Sequence, residues 1–214
     1  MKNIAVFASG QGSNFQAIVD GVKKGKIKNG VIGLLVCDKP DASCLKRAEK
    51  AGIKKLVIDR DSFKGTAEFE EEILNQLKKE KIDLICLAGF MRVLSGSFIK
   101  KYENKILNIH PSLLPSFKGA RAVRDALKYG VKITGVTVHF VTEEIDAGPI
   151  VAQEAVAIKD GDIEITLLER IHAVEHKIYP FAINLFCCDK LKITGKKVVI
   201  KWRKANPEKE EQQK

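Results

Sequence analysis

Short apolar runs alternate with amphipathic stretches along most of this chain, and that alternation restricts the fold more than any other feature. The runs "NIAVFA", "GVIGLLVC", "KKLVI", "DLICLAGF" and "KILNIH" are apolar along their whole length rather than at every second residue. A strand of that kind has both faces buried, as in a parallel sheet covered by helices on either side. The intervening segments have helical character. "SNFQAIVDGVKKG" spaces Phe15, Ile18, Val19 and Val22 for one helical face, and a second helix is expected over Ser43–Lys50. "TAEFEEEILNQLKKEKI" begins Glu-rich and ends Lys-rich, matching the helix dipole. A further short helix is expected between "DLICLAGF" and "KILNIH". The second half differs. "TGVTVHFV" alternates polar and apolar residues, "PIVAQEAVAI" is placed to pair with it, and "GDIEITLLERIHAVEHKIYPFAINLF" reads as a long helix interrupted near Pro180. Mixed strand pairing is expected there.

At 214 residues the chain suits one large domain with at most a small appendage. Its apolar runs are too short to span a bilayer. The segment "MKNIAVFASG" reads as a strand entering a glycine turn, not as a secretion signal. The five cysteines, Cys37, Cys44, Cys86, Cys187 and Cys188, include no C-x-x-C pair. They read as reduced packing residues of a cytoplasmic protein, with neither a disulfide framework nor a metal site. The formal charge is +10, and residues 190–214 alone carry nine basic and three acidic side chains. "KLKITGKKVVIKWRK" therefore reads as a basic hairpin (190–204), followed by a polar, disordered tail (205–214). Without interleaved aromatic stacking platforms it is expected to be a solvated face, with neither nucleic acid nor membrane as a partner.

Three segments carry candidate chemistry. "ASGQGSN" links the first strand to the first helix. Gly10 and Gly12 permit a tight turn, Ser13 and Asn14 can cap the helix, and the free N–H groups of a helix start attract anions. The G-K-[ST] of a nucleotide P-loop is missing, and Phe15 stands where a dinucleotide fingerprint would have its third glycine, although Asp38 after the second strand suits that fingerprint. A monophosphate cradle fits best, beside the plainer reading of a capped turn. In "NIHPSLLPSFKG" the extended backbone points Asn108 and His110 to one face, and Pro111 ends the strand. An amide and an imidazole thus meet at a carboxyl strand end, where open α/β sheets bind ligands. "HFVTEEIDAGPIVAQ" places Asp146 in a loop beside small residues. Near His110 its carboxylate would favour the imidazolium, and the imidazolium with the Asn108 amide would stabilise a developing oxyanion. No nucleophile motif such as G-x-S-x-G accompanies them, so direct transfer to an incoming nucleophile is implied.

Taken together, "ASGQGSN", "LAGFMRVLS", "NIHPSLLPSFKG", "GVTVHFVTEEIDAGPIVAQ" and "AVEHKIYP" resemble the folate-dependent formyltransferases, specifically the phosphoribosylglycinamide formyltransferase branch, from Met1 to about residue 190. The resemblance implies one Rossmann-like α/β domain over 1–205, with a phosphate-binding half (about 1–105) and a catalytic and folate-binding half (about 106–190). It implies Asn108, His110 and Asp146 as catalytic residues. Gly12, Ser13, Asn14 and Glu175 would hold the phosphate and ribose of glycinamide ribonucleotide, with His172 standing where relatives often have Lys or Gln. Met91, Arg92, Val93 and Leu94, with Thr142, Glu143, Glu144 and Ile145, would line the folate pocket beside Asn108 and Asp146, and Lys64 would meet the folate tail. The cosubstrate would be 10-formyltetrahydrofolate, without a metal, in a monomer or weak homodimer. The histidines that relatives often carry after "KG" are replaced here around Arg121 and Val123. A formyltetrahydrofolate hydrolase is the nearest rival. The absence of an N-terminal regulatory module argues against it, as the short C-terminal extension argues against a tRNA formyltransferase. His139 and His176 read as structural.

Overall fold

The computed structural model of the protein describes residues 1–201. In chain order its elements are β1 (Lys2–Phe7), α1 (Ser13–Lys23), β2 (Gly30–Cys37), α2 (Ser43–Ala51), β3 (Lys55–Val57), a 3₁₀ turn (Arg60–Ser62), α3 (Thr66–Lys79), β4 (Leu84–Leu87), α4 (Gly96–Lys101), β5 (Ile106–His110), α5 (Ala122–Tyr129), β6 (Ile133–Phe140), β7 (Ile150–Ala157), α6 (Glu164–Cys187), β8 (Leu191–Thr194) and β9 (Lys197–Ile200). The strands form one nine-stranded sheet in the order β3-β2-β1-β4-β5-β6-β7-β9-β8. From β3 to β5 every pairing is parallel. β6 then runs antiparallel to both β5 and β7, and the β8–β9 hairpin joins the edge at Ile150 and Lys197. The mostly parallel sheet with a mixed C-terminal half is therefore what the sequence pattern predicts.

Alternate residues of the central strands feed two cores. Ile4 and Val6 of β1 pack with Phe15 and Ile18 of α1, Cys44 and Ala48 of α2, and Ile171 and Tyr179 of α6. Ala5 and Phe7 face the other layer, with Phe69, Ile73 and Leu77 of α3 and Phe98 of α4. This explains the unbroken apolar runs: each face of a strand has its own helices to cover it. The cysteines are all free thiols, buried except for the half-buried Cys188.

Several local expectations change. α6 runs unbroken through Pro180. Pro180 lacks an N–H and removes one helical hydrogen bond, but tertiary packing holds the turn. The hydroxyl of fully buried Tyr179 donates to the carbonyls of Leu87 (2.9 Å) and Leu107 (3.0 Å). Pro180 itself lies so close to α1 that a Cβ at Gly21 would stand 3.2 Å from its own. β6 is buried from Thr134 to Phe140, not half-exposed as its alternation suggests. Its polar residues satisfy a neighbouring loop: Thr137 Oγ1 donates to the Ser112 carbonyl and accepts from the Leu114 N–H. Helix α5 goes unsignalled in the sequence, because its buried face is only Ala122, Val123 and Ala126. The β8–β9 hairpin appears where the basic segment predicts it, whereas Trp202–Lys204 and the tail 205–214 lie outside the described residues.

Candidate active site

The chain leaves β1 toward β2 on one side and returns through β4 on the other, which makes the β1–β4 boundary a topological switch point. Loops at the carboxyl ends of such strands leave a crevice for ligands. Phe7 pairs with Leu87, and Leu87 pairs with Asn108. The ends of β1 and β5 are therefore two strand spacings, about 10 Å, apart. The Ser9 N–H donates to the Gly89 carbonyl (3.1 Å) and the Met91 N–H to Ser9 Oγ (2.9 Å), tying the loop after β1 to the loop after β4.

At the end of β5, Asn108 is half-buried and His110 is buried. His110 Nδ1 lies 3.4 Å from Asp146 Oδ2, so the structure brings together the residues that the sequence pairs. Its Nε2 lies 2.9 Å from the carbonyl of Phe117. Phe117 and Asp146 both adopt positive φ (52° and 51°), an uncommon conformation for residues with side chains. Those turns aim one group at each ring nitrogen. Asp146 Oδ2 also accepts from the Gly119 N–H at 2.8 Å. Burial lowers the His110 pKa and outweighs the Phe117 carbonyl and Asp146, which raise it. The expectation of a histidine held charged by Asp146 therefore needs correcting: desolvation of the imidazolium is the larger effect. Burial also raises Asp146, but His139, the Gly119 N–H and His110 outweigh it and hold that carboxyl at about 2.

Sequence reasoning left His139 as structural, and the fold places it in this cluster. His139 is the cross-strand partner of Asn108. Its Nε2 lies 3.2 Å from Asn108 Nδ2 and 3.6 Å from Asp146 Oδ1, and its Nδ1 lies 2.9 Å from the Phe140 carbonyl. The available signal was the second alternation: T-x-H on β6 facing N-x-H on β5, once the two strands are paired antiparallel.

The glycine loop departs from its expected capping. Gly12 at φ 71° precedes α1, and no side chain caps the helix. Asn14 instead turns to α6, where its Nδ2 donates to Glu175 Oε2 (2.7 Å), while its buried Oδ1 has no partner among the described residues. The loop backbone lies against α2: the Cys44 N–H donates to the Gly10 carbonyl (3.1 Å) and Arg47 Nε to the Gln11 carbonyl (2.9 Å). A Cβ at Gly12 would stand 2.5 Å from Cys44 Cβ, so glycine is needed for space as well as for φ. Burial raises the Glu175 carboxyl, against the opposing pull of Asn14 and His172. His172 Nε2 lies 3.9 Å from Glu175 Oε2, and its ring stacks on His176. Ser13, Asn14, Glu175 and His172 thus gather where α1 meets α6.

The segments expected to line a folate pocket divide. Met91 and Val93 are 72% and 70% exposed and Ile145 53%, so large apolar side chains of both loops stand open to a ligand. Leu94 is buried and supports the loop from behind. Arg92 Nε pairs with buried Asp38 at 2.6 Å and its guanidinium lies over Phe69, which fixes the direction of the side chain. The same contact accounts for Asp38. Glu143 packs against Gly96 at the start of α4, Glu144 pairs with Lys118 (2.9 Å), and Thr142 Oγ1 donates to the Glu144 carbonyl (3.2 Å). Lys64 is exposed on the connection between the 3₁₀ turn and α3, where its backbone N–H donates to Glu68 (2.9 Å). Among the described residues no group of His, Cys, Asp and Glu is arranged to hold a metal ion, and no helix is long and apolar enough to cross a membrane.

This sheet, with an Asn-His-Asp cluster at the carboxyl end of β5, defines a class: the chain belongs to the formyl transferase family, whose sequence model matches residues 2–183. Among its relatives, the phosphoribosylglycinamide formyltransferase of Bacillus subtilis is 47% identical over 86% of this chain and 94% of its own. The crystal structure of glycinamide ribonucleotide transformylase 1 from Symbiobacterium toebii superposes with a TM-score of 0.91 at 45% identity, covering 94% of each chain. The trifunctional purine biosynthetic protein adenosine-3 of Gallus gallus is 46% identical over 94% of this chain, which spans only 20% of that longer protein.

Proposed function

We propose that the protein transfers the formyl group of 10-formyltetrahydrofolate to the amine of glycinamide ribonucleotide, a step of purine biosynthesis. The observation that carries this reading is Asp146 set between His110 and His139, with the Asn108 amide beside them at the end of β5. The names of the two relatives of matching length point the same way. The amine attacks the formyl carbon, and the carbonyl pair moves onto oxygen. Asn108 Nδ2 donates to that oxygen. The Phe117 carbonyl keeps the proton of His110 Nε2, so it is Nδ1, loosely placed at 3.4 Å from Asp146, that takes up a proton from solvent water before the attack. Nδ1 donates that proton as a hydrogen bond to the oxyanion and retains it when the oxyanion collapses back to a carbonyl. Burial keeps that proton weakly held until negative charge develops beside it, which favours donation in the transition state over the ground state. The ionised Asp146 receives the proton lost by the amine, through water, and returns it to N10 of the departing tetrahydrofolate. The bond from formyl carbon to N10 breaks as the amide forms.

In this reading the Gly12–Asn14 loop and Glu175 hold the ribonucleotide, while Met91, Val93 and Ile145 cover the flat pterin. The test is release of tetrahydrofolate, followed by absorbance, with and without glycinamide ribonucleotide. Rapid release only with the ribonucleotide supports transfer. Equal release without it makes the protein a hydrolase and overturns the proposal.

A further inference from the structure

We propose that His139 is a positioning residue that locks the Asn108 amide with its nitrogen, not its oxygen, toward the reacting group. The inference rests on the formyl-transfer reading for its consequence but not for its geometry. An asparagine amide can turn by half a revolution, exchanging a donor for an acceptor at little steric cost. Only the donor orientation stabilises an oxyanion. Something must therefore choose between the two, and His139 faces Asn108 directly across the β5–β6 pairing.

The choice follows from one carbonyl. His139 is buried, and its Nδ1 lies 2.9 Å from the Phe140 carbonyl, which can only accept. The proton of a neutral ring is thereby held on Nδ1, leaving a lone pair on Nε2. That lone pair is 3.2 Å from Asn108 Nδ2 and needs an N–H. Asp146 Oδ1 stands farther from the same nitrogen, at 3.6 Å, and His139 lowers the Asp146 pKa only through the charged form of its ring. In the neutral ring Nε2 carries no proton for Asp146 and accepts from Asn108 instead. A reversed amide would set Oδ1 against the Nε2 lone pair, with no hydrogen between them. One Nδ2 proton is thus committed to His139. The other has no partner among the described residues and is left for the ligand.

Two substitutions separate this role from simple packing. In His139→Gln the side-chain oxygen can stand where Nε2 stood and accept from Asn108. In His139→Asn the polar atoms reach only as far as Nδ1. Glutamine is expected to keep turnover within about tenfold, and asparagine to lose about 10², the scale of one oxyanion donor, with KM for the folate nearly unchanged in both. Adding His139→Asn to Asn108→Ala should cost little more than Asn108→Ala alone, because the amide being oriented is already gone. Equal losses in the two His139 variants, or losses that multiply with Asn108→Ala, would overturn the proposal. A readout independent of activity is the ¹⁵N resonance of His139 Nε2 in the unsubstituted protein at neutral pH. It should be that of a non-protonated nitrogen accepting a hydrogen bond, and should move in Asn108→Ala. A protonated Nε2 would sink the inference even if the protein transfers formyl groups. The expected signal from a protein that transfers none would instead discard the activity and leave the geometry standing.

Discussion

Desolvation and charge act on His110 in opposite directions, and single substitutions can separate them. Asp146→Asn keeps an oxygen for the Gly119 N–H, so the turn at Asp146 survives while its charge is lost. Since Asp146 raises the His110 pKa against the dominant effect of burial, the variant should titrate His110 at a still lower pH. NMR of the ring in both proteins reads this directly, and an equal or higher value in the variant would refute the coupling. Removing a donor outright acts on the transition state instead. Asn108→Ala or His110→Ala should reduce kcat by about 10² to 10³, with KM for the folate much less affected. Wild-type turnover in His110→Ala would end its assignment.

Helices α1 and α6 meet through Asn14 and Glu175, and this contact makes a prediction about stability. Burial raises the folded-state pKa of Glu175 above its unfolded value. The protonated carboxyl is therefore favoured by folding: its contribution is fully present below the ordinary glutamate range and is lost as pH rises through the raised folded value. Glu175→Gln carries no charge to desolvate and keeps an oxygen for Asn14. It should raise Tm at neutral pH, by about 2–4 °C for each kcal/mol gained, and the gain should vanish in mild acid. A gain that is equal at both pH values would show that charge burial is not its cause. The pairing of these helices also marks the limit of what the sequence discloses. Long apolar strands, and helices with a regular stripe such as α3, are legible because burial imposes periodicity. The Asn108–His110 pair was legible because a proline stops the strand beside it. Helix α5 was not, because a face of Ala122, Val123 and Ala126 is too small and short to stand out. Asn14 reads as a cap from its position alone, but a buried acid 161 residues away decides its orientation. His139 likewise becomes part of the site only when β6 folds back on β5. The pairing of Arg92 with Asp38 is also invisible until β2 brings Asp38 beside the loop after β4. Each miss is a tertiary contact overriding a local preference.

The sites proposed for the two substrates lie on the two layers on either side of the sheet. The glycine loop is braced by α1, α2 and α6, on the face that buries Phe15, Cys44 and Ile171. The exposed Met91 and Val93 sit on the loop leading to α4, on the face that buries Phe69, Leu94 and Phe98. The two substrates would meet only at the carboxyl end of β5. Such an arrangement binds each substrate by groups remote from the reaction and uses that binding to align the amine with the formyl carbon. It also makes the two affinities separable. Ser13→Ala removes a hydroxyl at the helix start but leaves α1 uncapped by side chains, as it already is, so the fold should be unaffected. A hydrogen bond to a charged phosphate contributes about 1.5–3 kcal/mol. Its loss should raise KM for the ribonucleotide about tenfold or more and leave KM for the folate within about twofold. Val93→Asp, placing a charge on the apolar wall, should do the reverse. Gly12 is a poor site for this test, because any side chain there meets Cys44 and disturbs α2 as well. Steady-state kinetics with each substrate varied in turn decides the matter: if Ser13→Ala moves both KM values together, the loop is a structural turn and not a phosphate cradle.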